Sequence, residues 1–87
     1  MYFLVDTKDQ SVTAFKNNGL ACRALLKKIN IDILPGDDPV KLARENAGDR
    51  LIVLNLSGAF EAISTSNDQA AQELAESFKQ AVDNFFQ

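Results

Sequence analysis

The 87-residue chain has no histidine and a single cysteine, Cys22. Without histidine it lacks the commonest general base near neutral pH and the commonest metal ligand. One thiol and no imidazole cannot build a structural zinc site within one chain, and one thiol cannot form an internal disulfide. Cys22 falls in a helical stretch beside Ala21 and Leu25. It reads as a small, half-buried filler, because no imidazole is present to activate it as a nucleophile. Neither a dinucleotide fingerprint, a phosphate-binding loop nor a nucleophile elbow is present. Asp37 and Asp38 read as a solvated loop residue and a helix cap. Residues 6–10, "DTKDQ", alternate acids but have neither the glycine nor the distal glutamate of a calcium loop. An enzyme is therefore not expected, and no cofactor or metal is implied.

Long apolar runs are missing as well. The two most apolar segments, residues 1–5 and 51–60, fall well short of the roughly 20 residues a membrane helix needs. The first residues lack the basic start and apolar core of a secretory signal. With the lone thiol, this makes a reducing, cytoplasmic location and no membrane partner the expectation.

What is present suits one small folded domain: 46% hydrophobic and 24% charged residues, with a net charge of −3. The charge is uneven. Residues 1–31 carry five basic and two acidic side chains, whereas residues 32–87 carry four basic and ten acidic ones. A solvated surface accounts for such a split. So does a polar molecule whose acidic part meets a basic partner, or one that associates head to tail.

Three segments can be distinguished: 1–30, a connector over 31–49, and 50–87. Tyr2 to Val5 and Val12 to Phe15 predict a β-hairpin around the polar "DTKDQS". Asn17 or Asn18 then caps a helix over about 18–29, with Ala21, Leu25 and Ile29 on one face. Asp38-Pro39 predicts the start of a short helix that stops at Gly48. Leu51 to Leu56 predicts a third strand, Ser57-Gly58 a two-residue turn, and Ala59 to Ser64 a fourth strand. Last comes an amphipathic helix of about twenty residues, with Ser66 and Gln69 as a capping box and Thr65 and Asn67 as competing caps. Its apolar stripe is Ala71, Leu74, Phe78, Ala81, Val82 and Phe85.

The order is thus ββα, a linking helix, then ββα. Each half has an apolar strand followed by a segment containing Ala-Phe, which suggests an internal pseudo-two-fold. The hairpin-then-helix opening resembles many small regulatory and phage-encoded domains, without a motif that names a family. The expected class is α+β, with a four-stranded antiparallel sheet of order 2-1-3-4 and both long helices on one face. Apolar strands belong in the centre and mixed ones at the edges.

Alternation sorts the first hairpin into two sets: Phe3, Val5, Val12 and Ala14 on one sheet face, Tyr2, Leu4, Thr13 and Phe15 on the other. Both are largely apolar, and two helices on one side leave the second face bare. Either the linking helix with Ile31, Ile33 and Leu34 folds over it, or another polypeptide does. The functional expectation is a small protein-binding domain: a homodimeric adaptor, regulator or inhibitor using Tyr2, Leu4 and Phe15. Phe86 lies off the helix stripe and is a further contact, and Glu73, Glu76 and Asp83 would steer a basic partner. Two rivals stand beside it. One is nucleic-acid binding through Arg23, Lys27 and Lys28. The other is a small-ligand sensor with a pocket between the sheet and the linking helix.

Overall fold

A computed structural model describes all residues, 1–87. The expected hairpin forms from β1 (Tyr2–Asp6) and β2 (Ser11–Phe15), with Phe3 opposite Ala14 and Val5 opposite Val12. Helix α1 (Asn18–Lys28) starts where the Asn17 side chain accepts the backbone N–H of Leu20 at 2.9 Å. It ends at Asn30, whose φ of +59° supplies a left-handed stop. Helix α2 (Pro39–Asn46) begins with Asp38 accepting the Val40 N–H and with Pro39 in its first turn. Gly48, at φ +61°, turns the chain out of it. β3 (Leu51–Asn55) then pairs antiparallel with β1, Leu4 lying opposite Val53.

The chain departs from expectation after β3. There is no fourth strand and no internal repeat of the ββα plan. Residues 56–64 form helix α3 (Leu56–Ser64), and Ser57-Gly58 lies inside its first turn. The side chain of Asn55 accepts the Gly58 N–H at 2.7 Å and caps this helix. Leu56, Ala59, Phe60 and Ile63 recur at helical spacing, so the segment satisfies a 3.6-residue period as well as the alternation of a strand. Helix α4 (Asp68–Phe85) follows, capped by Asn67 through the Ala70 N–H. The sheet therefore has three strands in the order β2-β1-β3, and the class is α+β.

The helices do not share one face, which corrects the second expectation. On one side, Leu4 and Leu51 pack with Cys22, Leu25 and Leu26 of α1 and Ala43 of α2; Phe15, Ile31, Ile33 and Val53 complete this core. On the other, Phe3 packs with Ala59 of α3 and with Phe78 and Ala81 of α4, flanked by Val12, Ala14, Leu54 and Leu74. The Phe3 and Phe78 rings meet edge to face, with centroids 4.9 Å apart. Each such large side chain contributes about 1.5–3 kcal/mol on burial. The four helices divide two and two because each sheet face is apolar and each needs its own cover. The face holding Tyr2, Leu4 and Phe15 is thus roofed by α1, α2 and the connector. Leu4 is buried and Phe15 half-buried there, so the cover leaves this face open only beside β3, where Tyr2 lines a groove.

Candidate functional site

Two places bring polar chemistry together. The first is Asp6, at the end of the central strand and the only fully buried charged residue. Its Oδ1 accepts the Lys8 backbone N–H at 3.0 Å and Arg50 Nε–H at 3.1 Å. Its Oδ2 accepts Arg50 Nη2–H at 3.0 Å and Lys28 Nζ–H at 2.9 Å. Lys28 also reaches Asp9 at 3.5 Å. Hydrogen bonds from Arg50 and then Lys28 hold the Asp6 carboxyl well below the usual carboxylate range, and the same bonds raise both cations. Asp9 is lowered chiefly by its hydrogen bond with Ser11. Every buried polar side-chain atom has a partner, so the cluster is satisfied. Its physical effect is to tie the hairpin, the end of α1 and the start of β3 together.

The second place is the outer edge of β3. β1 covers one side of this strand and nothing in the chain pairs with the other. The Thr7 N–H donates to the Arg50 carbonyl at 2.9 Å. Antiparallel strands alternate, so residues 50, 52 and 54 aim their backbone groups at β1, while Leu51, Val53 and Asn55 aim theirs outward. Alongside the strand runs a groove of about 380 Å³ between β3 and α2, floored by Cys22 and Leu25 of α1. Val40 and Ala43 line its α2 side, and Leu51 and Val53 its β3 side. Polar groups come from Tyr2, Asn18, Arg44 and Asn55. Arg44 forms no ion pair, unlike Lys28 and Arg50. Burial pushes the Cys22 thiol above its ordinary value, with Asp38 nearby adding to the shift. On the opposite sheet face the same edge exposes Ile52 of β3, and Leu56 and Phe60 of α3 lie exposed just beyond it.

The residues singled out from sequence are dispersed. Tyr2 is half-buried in the groove lining, Leu4 lies in the core, and Phe15 is half-buried against it. Glu73, Glu76 and Asp83 are exposed on α4. Phe86 is 73% exposed and packs edge to face on Phe85 at 5.1 Å. Phe85 in turn lies against Val12 to Ala14 of β2, on the far side of the sheet from β3. Arg23 and Lys27 project from α1, whereas Lys28 is committed to Asp6 and Asp9. No three acidic or thiol side chains converge where an ion could sit. No helix is long and apolar enough to cross a membrane. Sequence reasoning did not single out Ile52, Leu56 and Phe60, because residues 51–56 and 59–64 read as paired third and fourth strands; the available signal was the Asn55 cap three residues ahead of Gly58.

No protein-family model, curated protein or solved structure matches this chain.

Proposed function

We propose that this chain is a non-enzymatic protein-binding domain that receives an extended segment of its partner along the free edge of β3. One observation carries the reading: β3 is an unguarded edge. Proteins usually protect such a strand with lysine, proline, a bulge or a covering element. Residues 51–60, "LIVLNLSGAF", contain no charge and no proline, and the pairing of β3 with β1 is regular throughout. The other edge strand, β2, is backed by α4 on the face of Val12 and Ala14 and carries the polar Ser11 and Thr13. An added strand would take main-chain hydrogen bonds from Leu51, Val53 and the Asn55 N–H, the Asn55 C=O being committed to the first turn of α3. Its alternate side chains would enter the groove under α2, which supplies selectivity.

Amide-resolved NMR titration with short, uncharged, β-branched peptides tests this. Shifts should concentrate at Leu51, Val53, Asn55, Val40 and Arg44. A peptide panel that moves none of them, or moves only α4, refutes the reading.

A second reading, the small-ligand sensor, rests on the groove itself. Its volume lies within the roughly 300–1,000 Å³ range of small-molecule sites. An apolar floor beside the unpaired Arg44 suits a small amphiphilic carboxylic acid. A thermal shift by such acids that disappears in Arg44→Ala would favour it over strand addition.

A further inference from the structure

Resting on strand addition at β3, we infer that the segment received is the β3 of a second copy of this chain. The two strands run antiparallel across a two-fold axis through Val53, giving a six-stranded sheet in the order β2-β1-β3-β3-β1-β2.

Surface area is the first support. A folded monomer of 9.5 kDa is expected to expose about 5,050 Å², and this chain exposes 5982 Å². The excess, roughly 900 Å², goes with an elongated shape of 43 × 28 × 21 Å and leaves room for the ~800 Å² that each partner buries in a stable dimer.

Self-complementarity is the second. With Val53 on the axis, Leu51 lies opposite the second copy's Asn55, and Ile52 opposite its Leu54. The outward-aimed N–H and C=O of Val53 then meet their own copies, and the Asn55 N–H meets the second copy's Leu51 C=O, while the Asn55 C=O stays with the first turn of α3. No like charges are opposed, because the first charged side chains, Arg50 and Glu61, flank the uncharged segment. On one sheet face Ile52, 41% exposed, gains a neighbour, and the α3 helices bring Leu56 (49%) and Phe60 (63%) toward the axis. On the other, the two grooves become continuous beneath the α2 helices.

Light scattering combined with hydrogen exchange tests the inference. The wild type should have twice the 9.5 kDa chain mass, with slow exchange at the Val53 and Asn55 amides. Ile52→Lys alters an exposed side chain and should halve the mass and speed exchange at those two amides, with the far-UV spectrum retained. Val53→Pro removes an N–H that no group in the same chain uses and should act likewise; should it not fold, Ile52→Lys decides alone. A wild type that stays monomeric at all concentrations overturns the second copy as occupant, while the peptide titration separately decides whether β3 accepts strands at all. A dimer that Ile52→Lys leaves intact, with fast-exchanging outward amides, also overturns it and places the contact elsewhere.

Discussion

Ala-Phe occurs twice in this chain, and the two copies adopt different structures. Ala14-Phe15 ends strand β2, and Ala59-Phe60 lies within helix α3. The difference comes from what precedes each pair. Ala14 follows Val12 and Thr13, whose branched side chains favour a pleated surface. Ala59 follows Leu-Ser-Gly, entered from an Asn55 side chain already bonded to the Gly58 N–H. The first half therefore spends its second segment on sheet pairing, and the second half spends it on covering the sheet. β2 is backed by α4 on one face, and β3, which a fourth strand would have flanked, stands at an edge of the sheet.

Four experiments break or sharpen this contrast. The largest effect is expected in the cores, one per sheet face. Phe78→Ala should cost about 3–5 kcal/mol and Leu25→Ala about 2–5 kcal/mol in chemical denaturation. Loss of both sheet faces together in each variant would mean that the two carry the fold jointly; unfolding confined to α3 and α4 in Phe78→Ala would mean that the first half stands without α4.

Next comes the junction of the halves. Asp6→Asn leaves Lys28 and Arg50 without their shared counter-charge and should lower the unfolding midpoint clearly at neutral pH. Sign and window follow from the direction of the shifts. Asp6 is lowered from an ordinary 3.8. Its contribution is thus present above that value and fades as pH falls below it toward the depressed folded value. Lys28 is raised from 10.5, so its contribution persists below that value and is lost only at higher pH. The wild type should show an acid-side decline that Asp6→Asn flattens, read by thermal melts across pH.

A smaller effect tests why the second segment is helical. Asn55→Ala should cost about 1 kcal/mol through loss of the α3 cap, with reduced helicity confined to residues 56–64 by NMR shifts. The smallest concerns exposed rings. Phe60→Ser should change the stability of the isolated chain by no more than about 0.5 kcal/mol, as checked by denaturant melts of dilute samples.

Local signals made most elements readable. The hairpin followed from alternation around a polar loop, α2 from Asp-Pro and a closing glycine, and α4 from a long stripe. Two features were hidden. Residues 51–64 fit two periodicities, and only the cap at Asn55 separates them. Asp6 looked like a turn residue because its partners stand 22 and 44 positions away. Pairings at that range leave no local pattern. The faces of β1 and β2 were assigned correctly from alternation, but their cover was not, because covering depends on where α3 sends the chain.

The central strand is also the first one synthesised. On the ribosome, β1 and β2 emerge with Asp6 facing no arginine, and one flank of β1 stays solvated until residues 51–55 have left the exit tunnel. Synthesis therefore leaves both the sheet and the charge cluster at Asp6 incomplete until residues 50–55 are free to pair.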